Sequence, residues 1–257
     1  MNLARALKQR LANGDSVVGS WLSLGSTAVA EIMALAGFDF LAIDLEHSPT
    51  SIETTADMIR VISLAGSSPL VRVTSNDPHL IKRVLDAGAH GIVVPNITSG
   101  AEARLAVAAT RYPPVGIRGV GLHRAQGYGA QFAEYRSAIT DGLLVVVQVE
   151  SAAAIECIDE ILSVDGVDAV MIGPYDLSND LGVPGDFASE VFGVAVERVR
   201  ASAQAAGVAS GFHVIEPDRE VFERCAREGY RFLVYSVDMR IIEVGSRVGA
   251  TPLVDRP

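Results

Sequence analysis

Runs of apolar, β-forming residues alternate with runs of helical periodicity along the whole chain. We predict strands at residues 16–22, 38–44, 69–73, 91–95, 143–149, 169–172, 208–213 and 232–236. Helical patterns fill most of the intervals, at residues 26–36, 52–65, 78–87, 99–110, 151–162, 189–206, 217–228 and 238–248. Several of these helices end in Ala-Gly or Glu-Gly directly before the next strand, where a helix C-terminus favours glycine.

Eight consecutive strand–helix units without a break in composition predict an α/β protein with one (β/α)8 TIM barrel over residues 1–257. The alternative is an open, doubly wound sheet, which has the same alternation of elements. The one long irregular segment, residues 112–135, contains Pro113, Pro114 and several glycines. A segment of this length within a compact domain is typical of a lid or a binding loop.

Active sites of such barrels form at the carboxyl ends of the strands, so the residues at those positions carry most of the functional information. Polar side chains with catalytic potential follow seven of the eight predicted strands. They are Asp44, Glu46 and His47 after the second strand, Arg72 at the third, Asn96 at the fourth, Gln148 and Glu150 at the fifth, Asp176 after the sixth, His213 at the seventh, and Ser236 and Asp238 at the eighth.

Glu150 and Asp176 follow two consecutive strands, which run parallel in a strand–helix–strand unit and end at the same edge of the sheet. Two carboxylates there form half of a site for a hard cation such as Mg²⁺ or Mn²⁺, with positions left for water and a chelating substrate. Alternatively, Glu150 caps the helix that starts at Ser151 and Asp176 caps the turn before Leu177. Their occurrence as a pair favours the metal site.

Asp44 and His47 lie three residues apart just beyond a strand, where a carboxylate can orient an imidazole that acts as a general base. The alternative is a surface histidine beside a cap. Arg72 stands in an apolar run and would be a costly buried charge unless it faces the barrel mouth. There it would hold a carboxylate or a developing oxyanion. Asp86 sits late in a helix, and its default interpretation is a solvated helix face.

Charge and composition exclude several classes of function. The net charge of −10, from 31 acidic and 21 basic residues, argues against nucleic acid or an anionic membrane as partner. Only Lys8 and Lys82 are lysines, and neither follows a strand, so a Schiff-base aldolase is disfavoured and a carbanion would need a metal ion as electron sink. Neither a P-loop nor a dinucleotide-binding GxGxxG is present.

The remaining features point to a soluble, cytoplasmic protein. We expect Cys157 and Cys225 to be buried thiols within helices of a protein from a reducing compartment. The N-terminus has no continuous apolar region typical of a signal peptide, and no stretch has the length of an uncharged membrane span.

Six sequence stretches together resemble the HpcH/HpaI aldolase family. They are LAIDLEHSP (41–49), VRV (71–73), LDAGAHGIVVP (85–95), GIRGVG (116–121), VQVES (147–151) and IGPYDLSNDLG (172–182). The match runs in order from about Gly19 to Asp238. At residues 122–129 the chain reads LHRAQGYG, which differs from the heptenedioate aldolases of that family.

The resemblance implies a barrel of the phosphoenolpyruvate/pyruvate superfamily whose C-terminal helix is exchanged between the subunits of a hexamer. It implies that Glu150 and Asp176 bind the metal, that Asp44 and His47 form the acid–base pair, that Arg72 binds pyruvate, and that Asp86 assists across a subunit interface. The substrate carboxylate would meet the backbone at Gly173 and Pro174, with Gln148 supporting the metal site from behind.

We therefore expect an enzyme that reversibly cleaves a 4-hydroxy-2-oxo acid into pyruvate and an aldehyde, with Mg²⁺, Mn²⁺ or Co²⁺ as cofactor. One alternative is a CoA-ester lyase of the malyl or citramalyl type, which would need a basic surface for the CoA diphosphate. Another is a non-catalytic barrel that binds 2-oxo acids. The presence of His47 and Arg72 together with both carboxylates speaks against that second alternative.

Overall fold

Eight parallel strands close into a barrel in the computed structural model, which describes residues 2–250. Each strand pairs with its neighbours in sequence, and β1 closes the sheet by pairing with β8. The strands are β1 Val17–Leu22, β2 Phe40–Asp44, β3 Ser68–Arg72, β4 Gly91–Val94, β5 Leu144–Val149, β6 Ala169–Ile172, β7 Ala209–Val214 and β8 Phe232–Val237. The prediction of a (β/α)8 barrel is confirmed, and the closure excludes the open sheet.

The helices surround the barrel, and each of the eight predicted helical stretches contains helix in the structure. They are α1 Asn2–Ala12, α2 Thr27–Leu35, α3 Ile52–Leu64, α4 Pro78–Asp86, α5 Gly100–Thr110, α6 Phe132–Gly142, α7 Ala152–Glu156, α8 Ile158–Leu162, α9 Pro174–Asp180, α10 Glu190–Ala206, α11 Arg219–Arg227 and α12 Asp238–Ala250. None of the helices within residues 2–250 combines the length and the apolar character needed to cross a membrane.

The structure corrects the sequence prediction at three places. The helix predicted at residues 151–162 is divided into α7 and α8, which meet at Cys157. Cys157 is therefore half-buried at a junction, whereas Cys225 is buried within α11 as expected. Helix α9, directly after β6, was not predicted. The segment predicted as irregular includes a 3-10 helix, Arg124–Gly129, and the start of α6.

The core has two layers, as the alternation of side chains along each strand requires. The outer layer lies between the strands and the helices, and the inner layer fills the barrel. Helix α1 closes the amino-terminal end of the barrel, because Leu7 and Leu11 belong to the inner layer. Lys8 lies 3.0 Å from Asp168 at that same end, and Asp168 also accepts a hydrogen bond from the Val145 backbone.

Helix α12 stands apart from the helical layer. It contacts β1 and β8, and its Asp238 carboxylate accepts hydrogen bonds from the backbone of Ser23 and Leu24, both at 3.0 Å. Apolar side chains further along it, Ile242 and Val248, are 46% and 76% exposed. The helix therefore presents an apolar face that residues 2–250 leave uncovered.

Candidate functional site

An ion pair between Asp44 and Arg72 lies at the centre of the barrel mouth. The two residues are register partners at the ends of β2 and β3, so their side chains point to the same side. Arg72 donates from Nε to Asp44 Oδ1 at 2.9 Å and from Nη2 to Asp44 Oδ2 at 2.8 Å. This bidentate geometry fixes the plane of the guanidinium group. It leaves the Nη1 hydrogens directed away from Asp44.

Burial favours the protonated form of Asp44, but its partners outweigh that effect. The pKa of Asp44 is lowered because Arg72 and the backbone N–H groups of Glu46 and His47 stabilise the charged carboxylate. The Arg72 guanidinium also lies over the Trp21 ring, with Cζ 4.4 Å from the ring centre. Trp21 thus forms a floor that limits how far the arginine can move.

Glu46 is the third member of this group. Its Oε2 lies 3.4 Å from Arg72 Nη1 and 3.8 Å from His47 Nε2, and it is buried without a hydrogen-bond partner. Burial is the largest cause that raises the pKa of Glu46 to about 7, and the charges of Glu150, Asp44 and Asp176 add to it against the opposing effect of Arg72. Burial and the neighbouring carboxylates therefore both disfavour the charged form of Glu46.

Glu150 is held rigidly at the end of β5. Its Oε1 accepts a hydrogen bond from the Asn96 backbone at 2.8 Å, and its Oε2 accepts one from Gln148 Nε2 at 2.5 Å. A Cβ at Gly173 would lie only 2.5 Å from Glu150 Oε2, so the glycine permits this close approach. The cap of α7 is Ser151, whose hydroxyl accepts from the Ala154 backbone, so capping does not explain Glu150.

Asp176 lies one strand further round the rim, in the first turn of α9. It is exposed, and among residues 2–250 no hydrogen bond reaches its carboxylate. Asp176 lines a cavity of about 410 Å³ at the barrel mouth together with Asp44, Arg72, Gln148, Gly173 and Pro174. The structure therefore brings all of these predicted site residues to one cavity, and Glu150 lies against its Gly173 wall.

His47 also lines this cavity, but its contacts differ from the expected ones. Asp44 accepts from the backbone N–H of His47 at 3.3 Å, and its carboxylate is engaged by Arg72. The imidazole, whose side chain is 62% exposed, has Glu46 as its nearest carboxylate. Within residues 2–250, Asp44 thus contacts the backbone of His47 and not its imidazole, because the register of β2 and β3 places Asp44 beside Arg72. The role of the Asp44–His47 pair stays a prediction.

The sequence profile of the HpcH/HpaI aldolase/citrate lyase family matches residues 18–243. The chain belongs to this family. It is 40% identical over 238 residues to the 2-keto-3-deoxy-L-rhamnonate aldolase of Klebsiella pneumoniae, covering 92% of this chain and 88% of that one. The enzyme of the same name from Escherichia coli K12 is 38% identical over 242 residues, with the same coverage. These relatives confirm the prediction of an aldolase, a carbon–carbon lyase.

Comparison with solved structures agrees with this assignment. A family member from Burkholderia cenocepacia superposes with a TM-score of 0.91 at 37% identity, covering 96% of this chain and 98% of that one. The citrate synthase SbnG superposes with a TM-score of 0.84 at 28% identity, covering 95% of both chains. Proteins described with different substrates thus share this barrel, so the substrate of an individual member depends on its own side chains.

Asp86 is the one predicted site residue that the structure does not bring to the barrel mouth. It ends α4 and lines a separate surface cavity with Glu53, Arg83 and His123. Its carboxylate accepts a hydrogen bond from Arg118 Nη2 at 2.6 Å. Within one chain, Asp86 therefore has no contact with the Asp44–Arg72 centre.

The side chains at the mouth fit a divalent cation. The carboxylates of Asp44, Glu150 and Asp176 are all close enough to act on Glu46, and this group of four acids is opposed by one guanidinium group, that of Arg72. The Gln148 Oε1 atom is buried and, like Glu46 Oε2, has no hydrogen-bond partner. Among residues 2–250, no three acidic, histidine or cysteine side chains surround one point. A cation there would thus need water or substrate oxygens to complete its coordination.

Three contributors to the site were not assigned a role from the sequence. Trp21 is an inward-facing residue of β1, and its contact with Arg72 on β3 reaches across β2. Asn96 adopts a left-handed backbone with φ of 54°, which aims its N–H at Glu150. Burial lowers the pKa of His213 to about 3, so its neutral ring lies against Trp21 and next to the Ser236 carbonyl.

We expect Glu46 to make the metal-free protein less stable as the pH rises. Its folded pKa of about 7 lies above the ordinary value of 4.5, so its contribution to stability is complete below about pH 4.5 and is lost as the pH rises through 7. Thermal unfolding in EDTA should therefore show a steeper loss of Tm over this range for wild type than for Glu46→Gln. Glu190→Gln, at an exposed position in α10, is the control. Parallel curves of Tm against pH for wild type and Glu46→Gln would contradict the raised pKa of Glu46.

Proposed function

We propose that this protein cleaves a 2-keto-3-deoxy sugar acid, such as 2-keto-3-deoxy-L-rhamnonate, into pyruvate and a hydroxyaldehyde, with the aid of a divalent metal ion. The observation that carries the proposal is the barrel mouth, where a fixed arginine faces two carboxylates suited to a cation. The 40% and 38% identical relatives named after this substrate support the choice of substrate class.

Glu150 and Asp176 would hold the metal ion, with Mg²⁺, Mn²⁺ or Co²⁺ matching their oxygen ligands. Such an ion supplies Lewis-acid polarisation of the substrate's keto group. The positions of the two lysines favour metal-dependent chemistry over a Schiff-base mechanism. Lys8 lies with Asp168 at the opposite end of the barrel, and Lys82 is part of α4 on the outside. Neither is placed to form a Schiff base at the mouth.

Arg72 binds the keto oxygen of the substrate and stabilises the enolate that forms from it. A guanidinium group has five N–H donors, and Asp44 uses one on Nε and one on Nη2. The remaining donors, including both on Nη1, are held in a fixed direction by Asp44 and Trp21. Donors that are preorganised in this way stabilise a developing oxyanion without further rearrangement.

His47 acts as the general base for the C4 hydroxyl, directly or through one water molecule. Its imidazole is exposed at the cavity and can therefore reach a substrate that enters from solvent. Removal of the hydroxyl proton allows the C3–C4 bond to break, which releases the aldehyde and leaves pyruvate enolate. Protonation of this enolate at C3 gives pyruvate.

The substrate carboxylate lies against the backbone at Gly173 and Pro174, which line the cavity next to Asp176. Gln148 keeps Glu150 in place through its amide N–H. The aldehyde half then points toward Tyr175, Ile215 and Met239, which line the outer part of the cavity. A small aldehyde with an apolar end fits these side chains.

The active form is a homo-oligomer, with a hexamer as the expected assembly. The apolar face of α12 needs a partner surface, and Asp86 reaches a reaction centre only if another subunit supplies that centre. Asp86 would then assist proton transfer at its neighbour's His47. Exchange of α12 between subunits and a cytoplasmic location stay predictions.

Pyruvate release should depend on a divalent metal ion. We expect the wild-type protein to release pyruvate from 2-keto-3-deoxy-L-rhamnonate, EDTA to abolish the activity, and Mn²⁺ to restore it. Calorimetry should detect Mn²⁺ binding to wild type and its loss in Glu150→Gln, which keeps the shape of the side chain but removes its charge. Full activity in EDTA, or trapping of pyruvate on Lys8 or Lys82 by borohydride, would refute the metal-dependent mechanism.

The roles of His47 and Arg72 can be separated by two reactions. His47→Ala should reduce kcat of aldol cleavage by about 10²–10⁴-fold, because the C4 hydroxyl loses its base. Oxaloacetate decarboxylation gives the same enolate without deprotonation of a hydroxyl group. It should therefore be affected far more by Arg72→Ala than by His47→Ala, as measured by pyruvate formation. Equal losses for both variants in decarboxylation would show that the base is misassigned.

Mixed oligomers test whether Asp86 acts on a neighbouring subunit. Subunits with Asp86→Asn and subunits with His47→Ala, carrying different affinity tags, are co-expressed and purified through both tags. Some neighbouring pairs then combine an intact His47 with an intact Asp86, so cleavage should exceed that of either variant alone. Light scattering of the same sample measures the assembly. Activity equal to the average of the two separate variants would mean that Asp86 does not act between subunits.

A further inference from the structure

Arg118 is a fully buried cation in the loop between α5 and the 3-10 helix. Its side chain has no exposed surface, and its guanidinium lies between two tyrosine rings, 5.0 Å from the centre of Tyr112 and 5.5 Å from that of Tyr135. It donates from Nη1 to the Tyr135 hydroxyl at 3.0 Å and from Nη2 to Asp86 Oδ1 at 2.6 Å. Burial of a charge is unfavourable unless the charge is paired, so this pocket is organised around one contact, the carboxylate of Asp86.

The contact fixes the direction of the Asp86 side chain. Oδ1 is engaged by Arg118 and lies 3.5 Å from Gln126 Nε2. Gln126 is itself buried and held by the Tyr112 hydroxyl and the His123 backbone. The other oxygen, Oδ2, faces Gly121, where even an added Cβ would lie 3.5 Å away. One carboxylate oxygen is thus anchored, while the other points to the surface beside a residue without a side chain.

A purely structural role for Arg118 would be to attach the loop to the barrel. The loop already has backbone contacts for that purpose, from Arg118 N to Arg111 O at 2.9 Å and from Ile117 N to Ala108 O at 2.9 Å. Both hydrogen bonds of the guanidinium end instead on side chains, and its Nε is buried without a partner. The guanidinium group is therefore placed to donate to the Asp86 carboxylate, although this position leaves its own Nε–H without an acceptor.

We propose that Arg118 is a positioning residue for catalysis, which holds the Asp86 carboxylate in a fixed direction without touching the substrate. The inference rests on the proposed function, in which Asp86 assists proton transfer at a neighbouring site. Tyr112 and Tyr135 also contribute to this positioning, because their rings keep the Arg118 guanidinium from rotating away from Asp86. A lysine has no planar fork to hold the same orientation.

A double-mutant cycle tests the proposal on the full-length oligomer, with 2-keto-3-deoxy-L-rhamnonate as substrate and Mn²⁺ as metal. Arg118→Met should lower kcat by about 10–10²-fold, as misplacement of a catalytic group does, with the substrate KM and the Mn²⁺ affinity unchanged. Arg118→Lys should recover little of this loss. In the Asp86→Asn background, Arg118→Met should have no further effect on kcat, because a residue that acts through Asp86 has nothing left to position.

Two further variants separate positioning from folding. Tyr135→Phe removes only the hydroxyl that contacts Arg118, so it should cause a small loss of kcat that likewise disappears in the Asp86→Asn background. It serves as the test if Arg118→Met does not fold. Lys8→Met breaks the partly buried pair with Asp168 at the far end of the barrel and should lower Tm while leaving kcat unchanged.

Multiplicative losses of kcat in the double variants would overturn the proposal, as would a loss in Lys8→Met equal to that in Arg118→Met at the same Tm. Normal kcat in Asp86→Asn would also overturn it while leaving the aldolase assignment intact. The absence of pyruvate release by the wild-type enzyme is a separate outcome, since it would refute the proposed function itself and the inference with it.

Discussion

The bidentate contact between Asp44 and Arg72 is the interaction on which the barrel mouth depends. It joins the ends of β2 and β3, and the side chains are only 3% and 12% exposed. Removal of one partner would leave a buried charge without compensation, which typically costs about 3–5 kcal/mol. The pair therefore sets the geometry of the mouth. With Trp21 beneath it, the guanidinium can present its remaining donors in only one direction, toward the cavity that Gln148 and Asp176 also line.

Around this pair the carboxylates outnumber the guanidinium group. One guanidinium faces four carboxylates. The effect is largest at Glu46, where burial and the acidic neighbours raise the pKa to about 7. Glu150 is locked by Gln148 and the Asn96 backbone, so it cannot turn away from the other acids. Such an arrangement favours the binding of a cation and of a substrate that brings an electrophilic carbonyl group. The barrel below the mouth supports this arrangement through one apolar layer inside the strands and a second between the strands and the helices.

Much of this arrangement could be predicted from the sequence, for a definite physical reason. In a repeated βα unit the strands are parallel, so residues that follow strands must gather at one end, and Glu150, Arg72 and Asp176 did so. What could not be predicted depends on register and on long-range contacts. The register of β2 against β3 places Asp44 in contact with Arg72, and the nearest carboxylate to the His47 imidazole is then that of Glu46. The left-handed backbone of Asn96 and the burial of Arg118 have no local periodicity that would reveal them.

Arg72 and Arg118 both use properties of arginine that lysine lacks, in a chain with 19 arginines and two lysines. Arg72 and Arg118 each hold a carboxylate while a ring or pair of rings lies against the guanidinium plane: Trp21 for the first, Tyr112 and Tyr135 for the second. A guanidinium can form directed hydrogen bonds in its plane and stack on aromatic rings above and below it, whereas an ammonium group is a point charge without a plane. The same device thus appears twice, once at the barrel mouth and once at the end of α4. In both places its effect is to convert a flexible acidic side chain into one with a fixed direction, which is the property that proton transfer and oxyanion stabilisation require.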